Sequence, residues 1–322
     1  MNKRFIAVDE AYPGDKWLSY YQQVDKNYVD WFLKEGEIKR PSLVECEQAL
    51  ITYMPELVPL WQHLISLTNA DEKTARLLSL YCPTPYVTGC SQAVWSRYSP
   101  VLVRNYDYSP RLNEGRIQKS KWHNTSVIGV TDCLWGLLDG MNEHGLCISL
   151  SFGGSDVVGK GFGIPLIIRY VLEFCHTTQQ ALDVLARIPT NMAYNITIID
   201  GGFDVATIEL SPIIEPKISH IPFAVNHQGD FELGNYAMFS RSYERKQAII
   251  ESLYDPMATI ESFIDSFEYA PLFTSDYQNN FGTLYTAVYN PQLKAMEMRW
   301  PYHVRMYQSF DLFAEQEVWV RY

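Results

Sequence analysis

The chain has six cysteines but no C-x-x-C pair among them. It therefore lacks the ligand spacing of a zinc site and the dithiol of a thioredoxin-type centre. No apolar run approaches the roughly 20 residues of a membrane span. The run from Phe5 to Val8, closed by Asp9 and Glu10, is too short for a signal-peptide core. Positive charge is scarce: 26 Lys and Arg face 37 Asp and Glu, for a formal net charge of -11, and the cations are scattered. Such a surface repels phosphate backbones and acidic headgroups, so neither nucleic acid nor membrane is an expected partner. Internal repeats and low-complexity tracts are missing too. The expectation is a cytoplasmic protein with no metal and no cofactor. Cys147 and Cys175 fit small buried hydrophobes, and the sequons at Asn124 and Asn195 are bystanders without export.

What is present suffices for a large core. The 322 residues are 47% hydrophobic and 14% aromatic, enough for one large domain or two ordinary ones. The first 85 residues or so read as helical: Leu57, Leu60, Trp61, Leu64 and Ile65 follow the spacing of one buried helix face. Asn69 or Asp71 can cap the next helix.

After Gly89 the texture changes to short β-branched and aromatic runs such as "SQAVW", "PVLVRNYDY" and "GLCISLSF", which predict antiparallel strands. "IPLIIRYVLEF" is apolar nearly all round and predicts a buried helix. "TTQQALDVLARI" opens on a Thr177-x-x-Gln180 capping pattern. Strands return at "YNITIIDGGFDVATIEL", where Asp200-Gly201-Gly202 is expected to supply the positive-φ residues of a hairpin. Two helices through "SRSYERKQAIIESLY" and "MATIESFIDSF" and a last hairpin at Asn290-Pro291 follow. The order predicts an α+β architecture of sheets sandwiched by helices.

The stretch "YVTGCSQAVW" places Cys90 directly after Gly89, at the start of a strand where it has little core to fill. If the Gly89–Cys90 bond were cut, Cys90 would carry a free α-amine with a pKa of about 7.7–8. One residue would then hold both nucleophile and general base. The thiol could make that cut itself by attacking the Gly89 carbonyl, and glycine permits a strained backbone there. The next strand, "LVRNYDY", returns Arg104 and Asp107 toward the thiol. The arginine favours thiolate and the aspartate holds the amine.

These residues resemble the N-terminal nucleophile hydrolases of the choloylglycine hydrolase and penicillin acyltransferase group. The resemblance runs from "GC" and "VRNYD" through "GMNEHGL" (Gly140 to Leu146) and "FAVNH" to "FSRSYERKQAII", covering residues 90 to about 300. It implies a four-layer αββα sandwich of two antiparallel sheets. It also implies cleavage at Gly89–Cys90 and a helical leader, residues 1–89, that stays bound to the catalytic region 90–322. The implied catalytic set is Cys90, Arg104, Asp107, Asn226 as oxyanion donor and Arg241, with Ser151 and Asn142 as oxyanion or substrate contacts. The sequence departs from the bile salt hydrolases in reading "LSF" at Leu150 to Phe152 and in a shorter first hairpin.

The implied partner is a small amide or acyl-CoA-type substrate, with hydrolase and acyltransferase outcomes both open and room left for a homo-oligomer. Two rivals remain. A papain-like protease would use His220 or His227, but its Cys surround is missing and Cys90 precedes strands rather than opening a helix. An unprocessed, non-catalytic binding relative would leave Asp107, Asn226 and Arg241 without a task.

Overall fold

The computed structural model describes residues 1–229 and 235–322. The chain opens on a strand, β1 (Asn2–Asp9), and continues through helices α1 (Asp15–Phe32), α2 (Leu43–Tyr53), α3 (Val58–Thr68) and α4 (Glu72–Leu78). Strands β2 (Gly89–Trp95), β3 (Val101–Tyr108), β4 (Arg116–Ser120), β5 (Val127–Asp132), β6 (Gly136–Asn142) and β7 (Cys147–Phe152) follow. Next come α5 (Ile164–Phe174), α6 (Thr178–Arg187) and strands β8 (Tyr194–Ile199), β9 (Val205–Leu210), β10 (Lys217–Ser219) and β11 (Phe223–Ala224). Helices α7 (Asn235–Phe239), α8 (Ser242–Tyr254) and α9 (Ile260–Ser266) precede β12 (Gly282–Asn290), β13 (Ala295–Trp300), β14 (Val304–Ser309) and β15 (Gln316–Arg321).

Among the described residues, the strands form two sheets. The larger has nine, in the order β10-β9-β8-β7-β6-β5-β4-β1-β15, and the smaller six, in the order β11-β2-β3-β12-β13-β14. Three apolar cores separate four layers. Leu50, Trp61 and Leu64 of the first helices pack with Leu166 and Leu172 of α5 on one face of the large sheet. Phe5, Val94, Leu102, Ile128 and Met298 fill the space between the sheets. Ile249, Leu253 and Phe263 of α8 and α9 cover the small sheet's outer face. The fold is thus helices, sheet, sheet, helices, as expected.

The first 89 residues are not wholly helical. "KRFIAV" alternates sides: Phe5 and Ala7 enter the inter-sheet core while Ile6 and Val8 face α1. The strand lies parallel to β4 and antiparallel to β15, inside the large sheet. Asn69 and Asp71 divide the capping roles: Asn69 ends α3 in the left-handed region at φ 49°, and Asp71 accepts from Thr74 N to open α4. Thr177 caps α6 by accepting from Gln180 N. The Asp200 turn differs from expectation. Its positive φ falls on Phe203 (69°) rather than the glycines, because Asp200 Oδ1 accepts from Gly202 N and Asp204 N and sets the turn itself. Among the described residues, no helix is long and apolar enough to cross a membrane.

Candidate active site

Cys90 is placed by two neighbours of β2. Strand β3 pairs Gly89 with Asp107, Cys90 with Tyr106 and Gln92 with Arg104. On the other side, β11 pairs Ala224 with Gln92 and runs antiparallel, so the chain reaches Asn226 beside Cys90. Cys90 N–H donates to Asn226 Oδ1 at 2.9 Å. Gly89 is not in a left-handed conformation, and its requirement is space. A Cβ there would lie 2.8 Å from Phe281 Cζ and 2.9 Å from Asp107 Cβ.

The thiol points between the sheets. Cys90 Sγ accepts from Arg104 Nη2 at 3.2 Å and lies 3.8 Å from Thr88 Oγ1. Arg104 ties the two sheets together: its Nε donates to Leu150 O, its Nη1 to Tyr285 OH, and it pairs with Asp139 of β6. Tyr285 and Tyr289 also donate to the Asp139 carboxylate. All of these side chains are buried. The expectation that Arg104 favours thiolate holds for the sign of its contribution but not for the sum. Burial pushes the thiol upward more strongly than Arg104 lowers it, and Asp107 adds to the rise.

Asp107 faces the opposite way, toward α8. Its Oδ1 accepts from Thr283 Oγ1 at 2.7 Å, and its Oδ2 lies 3.5 Å from Arg245 Nη1. Burial raises the Asp107 carboxyl, and the Arg245 charge opposes that most strongly. Arg245 is the hub of this side. Nη1 donates to Cys90 O at 2.6 Å and to Ser91 Oγ at 2.9 Å; Nη2 donates to Asn226 Oδ1 at 2.6 Å; Nε donates to Ser240 O at 2.7 Å.

Arg241 lies outside this cluster. Arg241 sits ahead of α8 at φ 52°, its side chain is 55% exposed, and it pairs with Glu244. The buried face of α8 is Ser242, Arg245, Ile249 and Leu253, and residue 241, left-handed and ahead of the helix, is not carried on it.

Asn226 is clamped by its surroundings. Its N–H donates to Ser242 Oγ, while Val225 O accepts from Ser151 Oγ at 2.9 Å and Asn195 Nδ2 at 2.7 Å. Asn195 Nδ2 also donates to His227 O. Gly154, at φ 86°, comes so close that a Cβ would lie 2.7 Å from Asn226 O. Asn226 Nδ2 donates to Phe152 O at 3.0 Å and to Thr88 O at 3.4 Å.

Ser151 thus directs its single proton to Val225 O rather than toward the thiol. Asn195, whose sequon was expected to be a bystander, is buried and holds the Val225 and His227 carbonyls. Asn142 lies away from the site: it donates to Leu172 O and Cys175 O at the end of α5 and accepts from His144 N and Leu146 N. His227 Nδ1 bonds Ser242 Oγ and His220 Nδ1 bonds Val205 O. Neither is a partner of Cys90 Sγ, so a papain-like dyad lacks its geometry. The glycine-rich loop borders a separate cavity of about 360 Å³ with Arg40, Tyr81 and Cys82.

Tyr86, three positions before Gly89, anchors the chain leading to Cys90 by donating to Asp132 Oδ2 at 2.6 Å. Burial, with nearby Glu114, pushes the Asp132 carboxyl up to about 7, against the lowering by Tyr86 and Cys133. The folded state therefore binds this proton more tightly than the unfolded chain. Its stabilising effect is complete at acid pH and is lost as pH rises toward about 7. Melting temperature is expected to fall between pH 5 and pH 8, and Asp132→Asn to flatten part of that slope. A melting series on both proteins checks this; an unchanged slope in the variant contradicts it.

Residues 95–303 match the family model of the acyl-coenzyme A:6-aminopenicillanic acid acyl-transferases. The match spans Arg104, Asp107, Asp139, Asn226 and Arg245 and begins just after Cys90. Similar solved structures include penicillin V acylase from Agrobacterium tumefaciens, 15% identical over 71% of this chain and 90% of that one, with a TM-score of 0.44. An N-acylethanolamine-hydrolyzing acid amidase ortholog from Caenorhabditis elegans is 19% identical over 64% and 93% (TM-score 0.45). A conjugated bile acid hydrolase variant from Clostridium perfringens is 12% identical over 71% and 96% (TM-score 0.42). No curated protein sequence matches the chain significantly.

Proposed function

The chain belongs to the acyl-coenzyme A:6-aminopenicillanic acid acyl-transferase family, and on that premise we propose that it is a self-cleaving cysteine enzyme that moves an acyl group through a thioester on Cys90. The observation that carries this reading is the setting of Cys90. Its amide rests on Asn226 Oδ1, its thiol on Arg104 and its carbonyl on Arg245.

In the first step Cys90 Sγ adds to the Gly89 carbonyl carbon. The C–N bond to Cys90 breaks, and the nitrogen takes the thiol proton. Water then splits the thioester, leaving a Gly89 carboxylate and a free thiol beside a free α-amine. Loss of the Thr88–Gly89 end from its place uncovers the sulfur and releases Asn226 Nδ2 from Thr88 O. That amide then becomes the donor to the oxyanion of a substrate.

In turnover the α-amine takes the thiol proton as sulfur adds to the acyl carbon, then gives it to the departing amine or thiol. The acyl-cysteine passes to water or to an incoming amine, and exclusion of water decides between them. Arg245 holds Asn226 and the Cys90 carbonyl in place, and the role read for Asp107 is to hold the amine. The substrate class is a linear amide or an acyl thioester. The leader 1–89 stays bound, a reading supported by β1 within the large sheet and by Trp17, Leu50 and Trp61 in the helix-side core. Six unpaired cysteines support a reducing, cytoplasmic setting.

The test is acid-quenched intact mass after mixing enzyme with a phenylacetyl amide or an acyl-CoA. The expected result is a fragment beginning at Cys90 heavier by one acyl group, an adduct that hydroxylamine removes. An adduct on any other residue contradicts the assignment.

A further inference from the structure

The mechanism above gives a substrate oxyanion one side-chain donor, Asn226 Nδ2. The other residues read for that role are committed elsewhere. Ser151 gives its proton to Val225 O, and Asn142 donates to Leu172 O and Cys175 O. An oxyanion has room for a second donor.

Tyr236 of α7 is an unused donor close to this cluster. Its hydroxyl is buried and, among the described residues, has no hydrogen-bond partner. Native structures leave few such groups, and each one needs a reason. The Tyr236 ring meets Phe152 edge-on, with centroids 5.1 Å apart at 82°, and Phe152 O is an acceptor of Asn226 Nδ2. The same ring lies 6.1 Å from Phe239, which lies 5.1 Å from Phe281, the side chain that crowds Gly89. One turn on, Ser240 N donates to Tyr236 O and Ser240 O accepts from Arg245 Nε, which ties α7 to the cluster. Contacts therefore lead from Tyr236 to the Gly89–Cys90 junction by three routes, through Asn226, Phe281 and Arg245. Burial raises the phenol most; of the groups around it Cys90 acts most strongly, raising it further, while Arg245 opposes. The hydroxyl thus keeps its proton.

We propose that Tyr236 is the second oxyanion donor, its O–H joining Asn226 Nδ2 on the oxygen of the acyl carbon that Cys90 Sγ attacks. This rests on the acyl-transfer reading of Cys90. As the C–S bond forms, the carbonyl π pair moves onto that oxygen, and both hydrogen bonds strengthen with the charge. When the pair returns, the bond to the leaving amine or thiol breaks, and Tyr236 retains its proton throughout. The hydroxyl gives up no partner to do this, so its removal should cost the transition state far more than the fold.

Tyr236→Phe tests the assignment, with a phenylacetyl amide or an acyl-CoA as substrate. The variant is expected to lose about 10²-fold in kcat with KM within about threefold, and to keep its melting temperature. The aldehyde of the same acyl group, which adds reversibly to the thiol and places an oxygen at the same point, should bind more weakly by a similar factor. Acylation of Cys90 at the unaltered rate in Tyr236→Phe overturns this inference alone. So does a loss confined to KM, or a shifted pH profile of kcat/KM with an intact plateau, which would make Tyr236 a substrate or amine contact. An unaltered enzyme that never acylates at Cys90 overturns the acyl-transfer reading and this inference with it.

Discussion

Cys90→Ala is expected to lower kcat by at least about 10⁴-fold, to the level of the uncatalysed reaction, with the fold intact. The volume lost is small, and Cys90 contributes one side chain to an inter-sheet core that holds Phe5, Leu102 and Met298. Stability should therefore change little while turnover disappears. Asn226→Ala should differ in kind. It removes the proposed oxyanion donor, costing about 10²–10³ in kcat, while the nucleophile remains. Steady-state kinetics and melting temperature on the two variants separate chemistry from folding. Full activity in Cys90→Ala would sink the mechanism.

Arg245→Met is expected to be nearly as damaging, for a different reason. Arg245 supports Cys90 O, Ser91 Oγ and Asn226 Oδ1 at once and is the cation facing buried Asp107. Removing one partner of a buried pair leaves a charge unmatched, typically at a cost of about 3–5 kcal/mol. A marked fall in melting temperature should accompany a loss of kcat of about 10³-fold. Arg245→Lys keeps the charge but not the fork, so it should recover stability more than activity. Arg241→Met should leave kcat within about threefold, since its ion pair with Glu244 is exposed. Equal damage at 241 and 245 would contradict the geometry.

The contrast between those two arginines marks where the sequence stops being legible. Cys90, Asp107 and Asn226 could be read because each occupies a strand end or strand position with a motif around it. Arg241 and Arg245 belong to one segment, "SRSYERKQAII", and at four residues apart they would share a helix face, so only the point at which α8 begins tells them apart. Residues 242, 245, 249 and 253 share a face. The spacing of 241, 245, 249 and 253 fits one face equally well, so the start of α8 was needed to choose between the two arginines.

Strand period similarly separates Arg104 from Asp107. Three residues apart on one strand, they must point to opposite faces, so one meets the thiol and the other meets α8. Asp139, Asn195 and Ser242 gave no local signal, since their roles arise from pairings between distant strands and helices. The layered architecture was legible from element order. The strand β1 was not, because four apolar residues ahead of a long helix carry too little periodicity.

The most direct test of the account is the intact mass of the purified protein under denaturing conditions, beside Cys90→Ala. The account predicts two fragments from the unaltered protein, meeting between Gly89 and Cys90 and co-purifying in native buffer, and one uncut chain from the variant. A single uncut chain from both, with amide or acyl-CoA turnover still present, would contradict it.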